Sequence, residues 1–300
     1  MATDARTMPN LDWARAPSSP SFPRRMARLA RQYPAGVIGL IILTAFVCMG
    51  LFGPMLPLKD PRALSQGAPL TGPSSNNWFG TNQLGQDVFS RVVNGARLSL
   101  EISFASVFIG AGLGSLLGIM AGFYGRWVDY AVQRSSEAFA AFPSLVLYFL
   151  LIAAFGRSVK TIIIALAIGA LFGGNRVLRG ATILERNKTY VESARATGAS
   201  DLRILLRHVA PNVFPLVVVI MSGALGAAIL AESALEFLGL GVAPGTPSWG
   251  IDMSGTNLSV ARFGNWHVVI FPGIAISLVV LGANLLGDAL RDIWDPRLRH

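Results

Sequence analysis

The chain is organised around one polar stretch, YVESARATGASDLRILLRHVAPN, which covers Tyr190–Asn212 and lies between two apolar runs. Its charged side chains cannot be left in hydrocarbon, so the stretch must lie in water. The residues that impose this are Glu192, Arg195, Asp201, Arg203 and Arg207. The stretch therefore predicts a water-exposed connection between two membrane-spanning helices.

Within this stretch the residues predict a helix, a turn and a second helix. Good helix formers run from Tyr190 to Thr197, and Gly198 then adopts a left-handed C-cap conformation at little steric cost. Ser200 is a candidate N-cap for the second helix, and Asp201 is favourably placed in its first turn. Helical spacing gives the second helix an apolar face made by Leu202, Leu205, Leu206 and Val209.

Composition places the chain among polytopic membrane proteins. Of its 300 residues, 52% are hydrophobic and only 14% are charged, and the apolar residues form long uninterrupted runs. The net charge of +9 comes from basic residues clustered beside these runs, which argues against nucleic acid as a partner. The single cysteine, Cys48, leaves no intrachain disulfide and no cysteine-rich metal site.

Six apolar runs predict an all-α protein with six transmembrane helices. The runs are residues 35–58, 102–124, 136–155, 161–175, 209–231 and 266–287, with a kink expected at Phe142-Pro143 in the third. If the N-terminus is cytoplasmic, 18 of the 25 Lys and Arg residues fall on the cytoplasmic side. The positive-inside rule therefore predicts an N-in, C-in topology.

These runs divide the chain into five segments. The predicted division is a cytoplasmic N-terminal tail 1–33, a first transmembrane helix 34–58, an extracytoplasmic segment 59–98, a five-helix core 99–290 containing the cytoplasmic loop 186–212, and a cytoplasmic C-terminal tail 291–300. In the extracytoplasmic segment Val88 and Val92 alternate with Asp87 and Arg91 at helical spacing. This pattern predicts a helix lying on the membrane surface, with Asp87 and Arg91 as an i, i+4 pair.

Small residues recur at every fourth position of the second run. They are Ser106, Gly110, Gly114, Gly118 and Gly122, which form a stripe along one helix face. Such a stripe allows another helix to approach closely, as small-xxx-small motifs do. It predicts close helix packing, either within this chain or against a partner, and not a ligand site.

Two acidic residues, Glu232 and Glu236, lie one helical turn apart near the outer end of the fifth run. A carboxylate at membrane depth is by default a functional candidate, here for a solute pathway or a gate. The alternative is that both lie at the membrane interface, capped by Ser233 or paired with a basic residue of a partner. The sequence alone leaves both alternatives open.

Catalytic motifs are missing from the sequence. It contains no G-x-x-x-x-G-K-[ST] phosphate loop, no HExxH and no GxSxG, and its three histidines are far apart in the chain. The chain is therefore predicted not to be an enzyme and to bind no cofactor of its own.

Several separate segments resemble permeases of bacterial ABC importers. Glu192, Ala194, Gly198 and Pro211 are similar to the EAA loop of that family, with Ser193 in place of its second residue. Three further segments resemble the dipeptide/oligopeptide/nickel branch and its C-type subunit. They are Asn76–Leu100, the run FLGLG followed by PSWG within 237–250, and GDALRDIWDPR at 287–297.

The resemblance implies a type I importer permease of the bacterial inner membrane that transports di- or oligopeptides. The implied partners are a second related permease, two cytoplasmic ATPases holding ATP and Mg²⁺, an extracytoplasmic solute-binding protein and membrane lipid. The implied ATPase-coupling residues are Glu192, Ser193, Ala194, Arg195, Gly198, Ala199, Asp201 and Pro211. Two rival hypotheses remain: an ion-driven secondary transporter using Glu232 and Glu236, and a membrane-embedded enzyme.

Overall fold

The computed structural model describes residues 29–243 and 245–294. Across these ranges the secondary structure is helical, with no β-strand apart from one isolated bridge between Thr81 and Asp87. Most of the predicted N-terminal tail and residues 295–300 of the predicted C-terminal tail lie outside the described residues. The predicted all-α class is confirmed for the part of the chain that the structure describes.

Twelve helices are named here, all within the described ranges. They are α1 (Pro34–Phe52), α2 (Val88–Tyr124), α3 (Arg126–Ala140), α4 (Ser144–Phe155), α5 (Val159–Gly173), α6 (Asn175–Arg186), α7 (Thr189–Ala196), α8 (Asp201–Ile204), α9 (Ala210–Phe237), α10 (Trp249–Asp252), α11 (Gly255–Ala261) and α12 (His267–Trp294). Five helical stretches are long and apolar enough to cross a membrane, and the bent pair α3–α4 would be a sixth. The multi-pass architecture predicted from composition is therefore confirmed.

The expected surface helix does not exist as a separate element. Its residues form the first turns of α2, which runs without interruption for 37 residues. Asp87 caps this helix by accepting a hydrogen bond from the Ser90 backbone N–H at 2.8 Å. Arg91 is buried and pairs with Asp252 at 2.6 Å, so the predicted Asp87–Arg91 pair is wrong. Arg91 pairs with a carboxylate distant in sequence because the Asp87 carboxylate is already used as the helix cap.

The third apolar run is also not one straight span. The helices α3 and α4 meet at an angle of 87°, and the break falls at the predicted Phe142-Pro143 site. Proline has no N–H to donate and disfavours helical geometry in the residue before it, which explains the break. The residues expected to form a polar connection lie instead in α3, where Asp129 forms an ion pair with Arg179 of α6.

The stripe of small residues on α2 faces the continuous pair α5–α6 of the same chain. The missing Cβ atoms leave room for backbone carbonyls: Gly110 lies against Ala167, Gly114 against Leu171, Gly118 against Asn175 and Gly122 against Arg179. At the top of the stripe, the Ser106 hydroxyl donates to backbone oxygens at Ile102 and Ile163. These contacts bring two helices together almost backbone to backbone, as the spacing predicts for small-xxx-small packing.

The first helix, α1, packs antiparallel to α2 and along α12. Gly39 lies against the backbone of Gly282, whereas Gly50 and Gly53 lie against Arg97 and Val93. The last helix is longer than its apolar run, because it continues through the charged residues after Gly287 as far as Trp294. The central core lies among α1, α2, α9 and α12.

Candidate functional site

The turn after α7 has the geometry of a Schellman motif. Gly198 has a φ of +83°, and its N–H donates to the Arg195 carbonyl at 2.9 Å. The N–H of Ala199 reaches back to the Ala194 carbonyl at 3.0 Å. These two bonds satisfy carbonyls that the end of a helix leaves unpaired. The left-handed conformation places glycine where the sequence predicts it.

The second helix begins at the predicted position but lacks the predicted side-chain cap. Ser200 is the N-cap residue with extended backbone, yet its hydroxyl makes no capping hydrogen bond. Asp201 lies in the first turn, where a negative charge interacts favourably with the helix dipole. Its carboxylate is also 3.7 Å from the Arg195 guanidinium across the turn, an exposed pair that contributes little to stability.

The apolar face of the second helix differs from the predicted one. Leu205 and Val209 are buried as expected, together with Ile204, but Leu202 and Leu206 are 59% and 62% exposed. The buried face is centred on Ile204 and Leu205, and a π-helical turn at Leu205–Val209 then joins α8 to α9 and adds a residue to one turn. An α-helical period does not apply across that turn. Two leucines are left on the surface.

A valine that the sequence analysis did not single out holds α7 to the rest of the protein. Val191 is 0% exposed and packs in a cluster with Phe123 of α2, Leu178 of α6, and Ile204 and Val209. This cluster therefore joins one residue of an eight-residue helix to residues of three long helical stretches. The available signal was that Val191 is the one aliphatic residue larger than alanine in the sequence TYVESARA.

Tyr190 adds a polar contact to the same junction. Its hydroxyl donates to Glu185 of α6 at 2.5 Å and accepts from the Asn212 side-chain amide at 3.2 Å. Asn212 also donates to the His208 carbonyl at 2.6 Å in the π-helical turn. Partial burial, reinforced by Glu185, raises the pKa of Tyr190 to about 12, so the phenol remains a neutral donor at physiological pH.

The other predicted coupling residues lie on the outside of this junction. Ala194 and Ala199 are half-buried, and the remaining ones are exposed: Glu192, Ser193, Arg195, Gly198, Asp201 and Pro211. Within the described residues the Glu192 carboxylate forms no ion pair, and no side-chain hydrogen bond caps the start of α7. Pro211 lies at the start of α9, beyond the π-helical turn. Segment 189–201 thus presents an exposed, charged outer face and a buried inner face.

The acidic pair at the other end of α9 is enclosed by protein. Glu232 and Glu236 are both 0% exposed. Glu232 accepts from Ser99 of α2 at 3.0 Å, and Glu236 accepts a hydrogen bond from Ser248 in the loop that follows α9. Ser233 also donates to Glu232 at 3.2 Å, as one of the two alternatives predicts, and neither carboxylate is exposed to solvent in this conformation.

Next to this pair lies the ion pair between Arg91 and Asp252, which the sequence analysis missed. The guanidinium contacts Asp252 through Nε at 2.8 Å and Nη2 at 2.6 Å, and the two side chains are 5% and 7% exposed. Burial raises the pKa of Asp252, an effect that the guanidinium opposes. Arg91 also donates to the Pro61 carbonyl at 3.0 Å, so it joins two loops to α2. Among the described residues no cluster of His, Cys, Asp or Glu is arranged to hold a metal ion.

The comparison with known proteins is decisive for the family. Residues 114–300 match the family described as binding-protein-dependent transport system inner membrane component. The chain belongs to this family. It is 38% identical over 263 residues to the dipeptide transport system permease protein DppC of Alkalihalophilus pseudofirmus, which covers 88% of this chain and 86% of that protein.

Two glutathione transport system permease proteins, both named GsiD, are similarly related to this permease. The protein of Pectobacterium atrosepticum is 36% identical over 274 residues, covering 91% of this chain and 90% of the relative. That of Escherichia coli O157:H7 is 38% identical over 274 residues, covering 91% and 89%. The permease is therefore a multi-pass inner-membrane subunit of an ABC importer and not itself the catalytic subunit. The ion-driven transporter and the membrane-embedded enzyme are no longer needed as hypotheses.

Proposed function

We propose that this permease imports short peptides and forms half of the translocation pathway, with a second related permease forming the other half. The support for the substrate class is that similar permeases are named for dipeptide and for glutathione transport, and glutathione is itself a small peptide. Two cytoplasmic ATPases supply the energy from ATP and Mg²⁺, and an extracytoplasmic binding protein delivers the solute. The permease contributes the membrane path and contacts lipid.

Segment 189–201 is the surface through which the permease is coupled to an ATPase. The observation that carries this proposal is the division of α7 into an exposed charged face and the buried Val191. A docking partner can press on the exposed face, and Val191 transfers the displacement to α2, α6 and α9. The predicted N-in, C-in topology would place the segment in the cytoplasm, where the ATPases are.

Coupling of this kind requires α7 to move as a rigid body. ATP-driven closure of the ATPases would displace α7, and the helices that it contacts would tilt between inward- and outward-facing arrangements. The Tyr190 contacts to Glu185 and Asn212 hold α7 at a fixed angle to α6 and α9 during such a movement. Glu192, which has no partner within the described chain, is the residue we expect to bind the ATPase directly.

Near the extracytoplasmic end of α9, Glu232 and Glu236 form part of a gate and do not bind the solute. Their hydrogen bonds join α9 to α2 and to the loop before α10, and neither side chain reaches a solvent-exposed surface. Tilting of α9 would strain these bonds. They therefore stabilise one arrangement of the outer helix ends against another.

Co-purification tests the coupling proposal. The permease is co-expressed with its genomic neighbours, and ATPase activity of the purified complex is measured for wild type, Glu192→Arg and Gly198→Val. Glu137→Arg, a charge reversal at an exposed glutamate of α3, is the matched control. We expect an ATPase to co-purify with wild type and with the control, and to be lost or uncoupled in the two segment variants. A wild-type permease that transports peptide without any nucleotide would refute the proposal.

A further inference from the structure

The side chains of Glu232 and Glu236 are covered by this chain itself. Both are 0% exposed. The loop after α9 and the start of α10 pack directly on Glu236 through two glycines. A Cβ at Gly241 would lie 2.6 Å from the Cγ of Glu236, and a Cβ at Gly250 would lie 2.7 Å from its Cβ. Both carboxyl groups are therefore removed from bulk water by residues that the structure describes.

The buried guanidinium beside this pair is committed to a different carboxylate. Arg91 of α2 donates to Asp252 of α10 from both Nε and Nη2, and its Nη1 donates to the Pro61 carbonyl at 3.0 Å. Asp252 thus neutralises Arg91. Within the described residues neither Glu232 nor Glu236 forms an ion pair. If both were ionised, two buried negative charges would have no counter-ion.

The other ionisable side chains on the surrounding elements do not supply that counter-ion. Each is either exposed or used in a contact elsewhere: Lys59, Asp87, Arg97, Glu101, Lys160 and His267. The charged groups that face the acidic pair are therefore those of the Arg91–Asp252 ion pair, which is neutral as a whole. An unpaired carboxylate in such a place is so costly that the group usually binds a proton instead.

The hydrogen bonds of the pair leave one donor missing. Serine hydroxyls donate to three of the four carboxyl oxygens, Ser99 and Ser233 to Glu232 and Ser248 to Glu236. The fourth oxygen, Oε1 of Glu236, is buried and has no hydrogen-bond partner. The two carboxyl groups are also within hydrogen-bonding reach of each other. Two carboxylates have no hydrogen to donate, so a bond between them requires a proton on one of them.

We propose that Glu232 and Glu236 share one bound proton in this enclosed arrangement, and that the proton is released when the end of α9 opens to water. The serine hydroxyls then stabilise the one negative charge that remains on the pair. The bound proton follows from the burial, the charges and the hydrogen bonds alone. Its effect on transport rests on the gate proposed above.

The direction of the pH effect follows from where the proton goes. A solvated glutamic acid ionises at about pH 4.3, so above that pH the opened pair gives its proton to water while the enclosed pair keeps it. Each further rise in pH therefore favours the opened arrangement, by up to about tenfold per pH unit for one proton. The predicted topology places this end of α9 on the extracytoplasmic side, so the pH of that side is the one that acts.

The first test measures the unfolding equilibrium of the purified full chain in detergent between about pH 5 and pH 9. Glu236→Gln puts a permanent N–H donor in place of the shared proton, and Glu137→Gln at an exposed glutamate of α3 is the matched control. We expect the unfolding constant of wild type, divided by that of Glu236→Gln, to rise by up to about tenfold per pH unit. The ratio of wild type to the control should not change. A wild-type to Glu236→Gln ratio that is independent of pH would overturn the inference.

Infrared spectroscopy detects the proton directly and does not depend on the folding of a variant. At about pH 8, where solvated carboxyl groups are ionised, wild type should show the carbonyl stretch of a protonated carboxylic acid. We expect the band to disappear in Glu236→Gln and to remain in Glu137→Gln. A wild-type spectrum without the band would show that both carboxyl groups are ionised, which contradicts the proposal.

The effect on the gate is measured by cysteine labelling of the co-expressed complex in vesicles. Ser103 of α2 is 0% exposed, lies one turn beyond Ser99, and has a hydroxyl without a partner, so Ser103→Cys is a mild change. It is made in a Cys48→Ala background, which removes the single natural cysteine. The rate of labelling by a membrane-impermeant maleimide is divided by the rate in the same protein carrying Glu236→Gln, which cancels the pH dependence of the thiol itself. We expect this ratio to rise with extracytoplasmic pH.

Failure of this inference is distinguishable from failure of the proposed function. The unfolding and infrared measurements need no ATPase, solute or second permease, so a negative result in them counts against the bound proton alone. If both detect the proton and the labelling ratio does not change with pH, the proton-binding site stands and the proposed gate at Glu232 and Glu236 is wrong.

Discussion

The turn at Gly198 gives the sharpest prediction for the coupling segment. Its φ of +83° lies in the left-handed region, and an added Cβ would meet no atom of the chain within 4 Å. A substitution there is therefore resisted by backbone conformation alone. The left-handed region costs an L-residue with a Cβ roughly 1–2 kcal/mol; the cost is smaller for asparagine and largest for a β-branched residue.

A cost of this size changes the population of the ordered turn by a factor of roughly 5 to 30. The Gly198 and Ala199 amides hydrogen-bond to the Arg195 and Ala194 carbonyls, so their hydrogen-exchange protection should fall by about that factor in Gly198→Ala. We expect Gly198→Val to lose more protection and most coupled ATPase activity, and Gly198→Asn to remain close to wild type. The readouts are amide exchange of the purified chain and solute-stimulated ATPase activity of the complex.

The control is Gly180, a glycine of α6 with ordinary helical φ and open space around its Cβ position. Gly180→Ala should stabilise its helix by roughly 0.5–1 kcal/mol, the opposite sign to Gly198→Ala. Unchanged exchange and coupling in Gly198→Val would refute the backbone argument. Equal damage from asparagine and valine would also refute it, since a side-chain clash with a partner would then be the cause.

Three further predictions concern stability, measured as the thermal midpoint in detergent. Gly114→Ala places a Cβ against a backbone carbonyl and should cost about 1–3 kcal/mol. Gly112→Ala has open space and, like Gly180→Ala, should stabilise its helix by roughly 0.5–1 kcal/mol. Equal midpoints of the two variants would contradict the packing. Arg91→Ala should cost about 3–5 kcal/mol, because it leaves the buried Asp252 carboxylate unpaired. The double variant Arg91→Leu/Asp252→Leu removes both charges and should recover much of this loss. A double variant less stable than Arg91→Ala would show that the unpaired carboxylate is not the cause. Glu236→Gln should retain its serine hydrogen bond and midpoint, whereas Glu236→Leu should cost about 1–3 kcal/mol; equal midpoints would show that the bond contributes nothing.

Local chemistry made much of the fold predictable. Long uncharged runs identified the membrane spans, because charged side chains are costly in hydrocarbon. These spans are helical because hydrocarbon offers no hydrogen-bond partner to the backbone, so each backbone group must be bonded within the helix. The left-handed turn at Gly198 and the break at Pro143 follow from the conformational limits of single residues. The glycine spacing in α2 predicted close packing, but only the structure identifies α5 and α6 as the neighbours.

Long-range contacts account for what the sequence could not reveal. Arg91 pairs with a carboxylate 161 positions away and not with Asp87 four positions away, because Asp87 is already used as a helix cap. The predicted apolar face at Leu202–Val209 assumed one α-helical period, whereas a π-helical turn begins at Leu205, and no local propensity indicates such a turn.

The continuous stretch Asp201–Phe237 connects the two candidate sites mechanically. Its 37 residues correspond to about 55 Å of helix, with the Gly198 turn just before one end and Glu232 and Glu236 near the other. A displacement of α7 would therefore reach these two carboxylates through one helical stretch, unless the stretch bends. Its two irregular points, the π-helical turn and Pro215, both lie in the half nearer α7. Beyond Pro215 the stretch contains no such irregular point. A movement that is not absorbed by bending at the π-helical turn or at Pro215 would therefore strain the hydrogen bonds of Glu232 and Glu236.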